Sequence, residues 1–170
     1  MANDSSSPVL VAVASRHGAT REIADAIGAA LAKAGLTAEV RDLDEIAEPS
    51  GFRAVLLGSA IYMGRWVKEA RSFAEDHKSV LSSVPLWLFS SGPLDNEPPA
   101  PDNPFGIDDL AKSLNARGHH VFPGKLDKDE LGFGEKAVIR MVGADEGDYR
   151  DWQDIDAWAT AVAAEINGRG

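Results

Sequence analysis

Six apolar residues in succession, Val9-Leu10-Val11-Ala12-Val13-Ala14, run into a polar, glycine-bearing turn, Ser15-Arg16-His17-Gly18-Ala19-Thr20, and then into a helical pattern. A run without polar alternation is a strand covered on both faces, the mark of a central strand in a parallel sheet. From Glu22 to Ala32 the apolar positions Ile23, Ile27, Ala30 and Leu31 share one helical face, as a helix lying on a sheet requires. The turn is therefore a strand-to-helix connection, and the rest of the chain must supply a sheet around it.

Such a turn presents backbone N–H groups and the hydroxyls of Ser15 and Thr20 at the positive end of a helix, where an anion or phosphate is stabilised. Gly18 permits close approach of the backbone and a positive φ. Arg16, His17 and Arg21 add positive potential around it. An ordinary capped turn has the same outline. The turn has neither the Gly-x-Gly-x-x-Gly of dinucleotide binders nor the Gly-Lys-Ser/Thr of nucleotide-hydrolysing loops, which argues against NAD and ATP.

Further along, Thr37 to Arg41 alternates like a strand nearer a sheet edge, and Leu43 to Ala47 reads as a short crossover turn. Phe52 to Ala60 is a second apolar strand, followed by a loop through Gly64 and a predicted helix from Arg65 to His77. Pro85 to Phe89 is a third buried strand running into Ser90-Ser91-Gly92-Pro93. Leu94 to Pro104 holds four prolines and reads as an irregular surface loop. A helix is expected from Phe105 to Arg117, stopped by Gly118, and the last strand begins around His120-Val121-Phe122. Trp152, Ile155, Ala159, Val162, Ala163 and Ile166 mark a terminal amphipathic helix with Asp151 as N-cap and Asp154 completing a capping-box-like pair.

Alternating strands and helices imply an α/β three-layer sandwich, a five-stranded parallel sheet with right-handed crossovers and the order 2-1-3-4-5. No linker or repeat divides the 170 residues, so a single domain over 1–170 is expected, with a disordered N-terminal tail at 1–7. Ligands of such sheets bind at the carboxyl ends of strands 1 and 3, where the loops Ser15 to Thr20, Ser59 to Trp66 and Ser90 to Leu94 converge.

Composition narrows the chemistry. The absence of cysteine excludes disulfides, iron–sulfur ligation and thiol redox steps, so any redox function must reside in a bound organic cofactor. A net charge of −10 without a basic cluster opposes nucleic-acid binding, and Asp145, Glu146 and Asp148 following the Leu126 to Val142 stretch oppose attraction to anionic lipid. Neither a membrane-spanning run nor a basic-then-apolar leader is present, and a cytoplasmic location is expected. The acidity suits a carrier docking weakly on basic partners, and is equally a route to solubility.

The three loops form a set: the first suits a phosphate, the second brings Ala60, Ile61, Tyr62, Met63 and Gly64, and the third brings Ser90, Ser91 and Gly92 with little bulk. A flat aromatic ligand with a phosphate tail needs such apolar faces and backbone donors, which describes a flavin mononucleotide (FMN) pocket. The pattern Ser-x-x-Gly-x-Thr after the first strand, Gly58-Ser59-Ala60-Ile61-Tyr62-Met63-Gly64 and Ser90-Ser91-Gly92-Pro93 resemble the flavodoxin family. More narrowly, Thr20-Arg21-Glu22-Ile23-Ala24, Gly58 to Ile61 with Tyr62 and Gly64, and Asp151-Trp152 resemble the flavodoxin-domain group that includes the bacterial quinone-dependent protoporphyrinogen oxidases. The likeness extends from Val9 to Ile166.

The resemblance implies FMN held by Ser15, Arg16, His17, Gly18, Ala19 and Thr20, by Ala60 to Gly64 and by Ser90 to Gly92, with electrons passed to a partner protein or small reductant. It also implies that the Met63–Gly64 peptide meets the flavin N5 and that Tyr62 or Trp66 stacks on the ring. His17 stands where the family carries a second phosphate-binding hydroxyl. The stretch Leu126 to Val142 mixes acids, glycine and a short apolar run where the oxidases carry basic and aromatic residues, which weighs against the porphyrinogen reaction. A deazaflavin relative fits a similar turn, and a binding protein that has lost the flavin would retain the fold. A phospho-receiver is disfavoured because Ala14-Ser15 and Gly58-Ser59 stand where its carboxylates would be, and Phe89-Ser90-Ser91-Gly92 is no nucleophile elbow. The His119-His120 pair reads as a solvated strand end and not as a metal site. Oligomeric state is left open by the sequence.

Overall fold

The computed structural model describes residues 6–14, 18–62, 65–92, 107–126, 147–148 and 150–168, with the backbone alone for residues 62, 125, 126, 147 and 148. β1 (Val9–Ala14) lies between β2 (Ala38–Asp42) and β3 (Ala54–Tyr62), parallel to both. β5 (Leu86–Ser91) and β6 (Gly118–Phe122) continue the sheet beyond β3, also in parallel. The order β2-β1-β3-β5-β6 is the expected 2-1-3-4-5 order of five parallel strands.

Every side chain of β1 is buried, and alternate residues serve different cores. Val9, Val11 and Val13 pack with Ile23, Ile27 and Leu31 of α1 (Ala19–Lys33) and with residues of the terminal helix. Leu10, Ala12 and Ala14 pack with Ala70, Phe73 and Ala74 of α2 (Lys68–Asp76) and with Leu81 of α3 (Lys78–Leu81) on the other face. Each such Val or Leu contributes about 1.5–3 kcal/mol on burial, which is why an unbroken apolar run settles mid-sheet. β2, whose side chains are half-covered, is the edge strand the alternation predicted.

The structure departs from the sequence expectation at particular elements. The segment after β3 is a hairpin: β3 continues to Tyr62 and pairs antiparallel with β4 (Arg65–Trp66), adding a sixth strand, and α2 begins only at Lys68. Trp66 thus leaves the helix and its ring is buried. The helix after the proline-rich stretch, α4 (Ile107–Ser113), ends at Asn115 in the left-handed region (φ 56), so Gly118 opens β6 and does not stop the helix. β7 (Lys125–Leu126) and β8 (Gly147–Asp148) form a separate antiparallel pair.

The terminal helix α5 (Trp152–Gly168) is capped as expected on one side only: Asp151 Oδ1 accepts the Asp154 amide at 3.1 Å. The Asp154 carboxylate instead accepts from His120 Nε2 at 2.9 Å. Trp152, expected on the inward face, is 44% exposed and lies against the Arg150 guanidinium, 4.7 Å from its carbon to the ring centroid. Aromatic packing toward the sheet falls to Trp158, which meets Phe89, Phe122 and His120. Most of the expected tail (residues 1–5), the proline-rich loop and the stretch 127–142 lie outside the described residues.

Candidate functional site

The register aligns the carboxyl ends of the three central strands. Ala14 pairs with Ser59 and Ser59 with Ser90, while Ala60 pairs with Ser91 and Ser91 with Phe122. Gly18, Ala19 and Thr20, the Ala60–Tyr62 end of β3, and Ser90–Gly92 are thereby brought to one edge of the sheet. Ser15, Arg16, His17, Met63 and Gly64 lie outside the described residues, as does the side chain of Tyr62.

α1 starts earlier than its apolar pattern indicates, because Gly18 at φ 84 is its N-cap and Thr20 stands in its first turn, 2% exposed. Among the described residues no side-chain cap bond closes this end, and Gly18 C=O accepts the Glu22 amide at 3.0 Å as the first intrahelical bond. A Cβ built on Gly18 would meet nothing within 4 Å, so there is space before the helix end. A positive helix terminus without a side-chain cap, opening on space, fits a phosphate.

A guanidinium reaches this turn from the far end of the chain, a residue the sequence reading did not single out. Arg150 Nη1 donates to Ala19 O at 3.3 Å and to Glu22 Oε2 at 2.6 Å, and its side chain is 4% exposed. A cation against a helix N-terminus is unfavourable by itself, and Glu22 offsets it. Arg21 lines the same cavity as Gly18 with its charge already paired, to Asp25 at 3.1 Å and Asp42 at 3.0 Å, which raise its pKa, Asp25 foremost.

A cavity of about 480 Å³ opens at this edge between Gly18, the ends of β1 and β2, and the start of α2. Val13, Ala14, Leu43 and Val67 give it an apolar lining, and Asp42, Asp44, Glu69 and the Arg21 paired to Asp42 a charged one; of the expected site residues Gly18 lines it, while Ala60, Ile61 and Ser90 to Gly92 do not. A second groove, of about 380 Å³, runs between α2, α3 and α4 and meets the second loop only at Trp66.

The serines divide. Ser59 Oγ accepts the Val67 amide at 3.2 Å and donates to Ala60 O at 2.7 Å, which ties the base of the β3–β4 hairpin to the start of α2. Ser90 Oγ accepts from Trp66 Nε1 at 2.8 Å and stands 2.7 Å from His119 Nε2. Both serines are fully buried. The Ser90 hydroxyl is therefore engaged in the interior, and Trp66, offered as a stacking ring, packs in the core instead. Gly92, at φ 95, donates its N–H to Phe122 O at 2.8 Å, and Gly124 packs against it so closely that a Cβ would stand 3.2 Å from the Gly92 nitrogen.

His119 and His120 are not a solvated strand end. His119 bonds Ser90 on one face of the sheet, and burial lowers its pKa from 6.5 to about 4, with Asp108 opposing and His120 adding to the shift. His120 pairs with Asp154 on the other face. Among the described residues no group of three or more His, Cys, Asp or Glu is placed to hold a metal ion. No helix among them is long and apolar enough to cross a membrane.

A doubly wound parallel sheet of this order, with three loops gathered at the carboxyl ends of its central strands, defines a flavodoxin-like fold. A flavodoxin domain model matches residues 10–153, and the chain belongs to that family. It is 30% identical over 83 residues to protoporphyrinogen IX dehydrogenase (quinone) of Escherichia coli strain K12, a match covering 48% of this chain and 46% of that protein. The chain thus aligns with about half the length of that relative. Among solved structures, an archaeal flavodoxin superposes with a TM-score of 0.64 at 14% identity, covering 94% of this chain and 99% of that one. Rubredoxin oxygen:oxidoreductase from Desulfovibrio gigas gives 0.64 at 11% identity, covering 96% of this chain and 37% of the other. At these identities the structures speak for the fold.

Proposed function

We propose that this chain binds FMN at the β1–β3–β5 edge and carries electrons between cytoplasmic partners. The observation that carries the reading is the end of α1: a left-handed Gly18 as the N-cap of a helix that follows the central strand, lining a cavity at the carboxyl end of that strand. When bound there, FMN supplies the electron-transfer chemistry, and the chain supplies position and potential.

The first turn of α1 offers its amides to the phosphate, joined by whatever Ser15 and His17 contribute. Ala60 to Gly64 and Ser91–Gly92 flank the ring, with Tyr62 as the stacking candidate. The backbone of Gly92 is fixed by its bond to Phe122 O, so that edge of the pocket is preorganised.

A second reading, oxidation of protoporphyrinogen with a quinone as acceptor, is favoured by the match to the Escherichia coli enzyme. Turnover of protoporphyrinogen IX by the FMN-loaded protein in the presence of a quinone decides between them: a catalytic rate supports the enzyme, and reduction and reoxidation without porphyrin formation supports the carrier. Failure to take up FMN removes both and leaves a binding protein of the same fold.

A further inference from the structure

We propose that His119 is a positioning residue: through Ser90 and Trp66 it holds the β3–β4 hairpin, and with it the Ala60–Tyr62 wall of the candidate flavin site, in a single arrangement. The inference rests on the flavin reading for its functional consequence, while the hold on the hairpin stands on the geometry alone.

Trp66 lies on β4, two residues long and attached to the sheet only through β3, so backbone pairing by itself gives it little support. Its indole N–H can only donate, and it donates to Ser90 Oγ. The Ser90 hydroxyl, having accepted this bond, has one hydrogen to place, and His119 Nε2 stands 2.7 Å away. With His119 neutral and its proton on Nδ1, the three groups form one directional chain, Trp66 N–H to Ser90 O–H to His119 Nε2. Ser90 is fully buried and Trp66 is 1% exposed, while His119 is half-buried, so loss of a partner leaves a polar group of the interior to be satisfied.

Protonation of His119 makes Nε2 a donor. Ser90 Oγ then faces two donors and its own hydrogen loses its acceptor, so the chain cannot remain satisfied in the same geometry. The titratable groups acting on His119 are Asp108 of α4, which favours the charged form, and His120 beside it, which opposes it; β5 presents Leu88 and Ser90, and β4 presents Trp66. Burial outweighs Asp108, which keeps the chain in its neutral, satisfied form near pH 7.

The test compares wild type, His119→Leu and His119→Gln near pH 7. Hydrogen exchange of the Trp66 indole N–H is measured by NMR on flavin-free protein, and FMN affinity by fluorescence titration. His119→Leu removes the acceptor, and about tenfold faster indole exchange with several-fold weaker FMN binding is expected. His119→Gln, which keeps an acceptor on a side chain of similar reach, restores both. Exchange in His119→Leu equal to wild type overturns the proposal, as does a glutamine that rescues neither quantity. Faster exchange with unaltered FMN affinity confines the network to the core and refutes the positioning role. If wild type takes up no FMN, the flavin reading fails by itself, and the exchange arm still decides whether His119 holds the hairpin.

Discussion

Gly18 and His119 are the two residues whose individual chemistry departs furthest from what their neighbours in sequence suggest. Gly18 is held at φ 84 with open space where a side chain would go, so replacement is penalised by backbone conformation and not by a clash. Gly18→Ala is expected to lower stability by about 1–2 kcal/mol, the ordinary cost of the left-handed region for a residue with a Cβ. Urea unfolding of the flavin-free protein reads this, and a loss far above that range means the site is sterically closed. For His119, the folded pKa of about 4 lies below the 6.5 of the free side chain, so between those values the unfolded chain binds a proton that the folded chain does not. Its effect on stability is nil above that window, grows as pH falls through it, and adds nothing further below it. Urea midpoints measured across the window should fall more steeply for wild type than for His119→Gln, and parallel curves contradict the burial of this ring. The strand-to-helix turn was legible because a glycine between an apolar run and an amphipathic helix has a local meaning. The Ser90–His119 contact spans 29 residues of sequence, and no local pattern announces it.

The elements were legible where periodicity is strong. β1, α1, β5 and α5 follow from runs and faces that only one kind of packing buries. The β3–β4 hairpin was not, because Ile61-Tyr62 and Arg65-Trp66 are too short a pattern to distinguish from a loop entering a helix, and a buried Trp suits either. Trp152 was misplaced because helical spacing fixes a face, but at a first turn the face can overhang the sheet, and there the ring covers Arg150. One glycine couples two elements: Gly58 of β3 lies opposite Phe89 of β5, whose ring occupies the space a Cβ at Gly58 would need. Because this contact is with a packed core ring, Gly58→Ala should destabilise by about 1–3 kcal/mol through overpacking. Its melting temperature should fall by several degrees, and the paired variant Gly58→Ala with Phe89→Leu should recover part of the loss. An unchanged melting temperature in the single variant would show that the ring gives way freely.

At the level of the whole molecule, a chain of net charge −10 places Asp42, Asp44 and Glu69, against the single cation Arg21, around the cavity at the ends of β1 and β2. Negative charge near a flavin disfavours the reduced anion, so the midpoint potential of the FMN-loaded protein is expected below that of free FMN, and raising the ionic strength should narrow the gap. A potential above free FMN contradicts that electrostatic account. Flavin binding itself depends on the end of α1. Titrating the purified protein with FMN, followed by flavin fluorescence and the visible absorption bands, tests it most directly. The account predicts saturable one-to-one binding with quenched fluorescence and shifted bands, weakened by added inorganic phosphate; fluorescence and spectra identical to free FMN throughout the titration would contradict it.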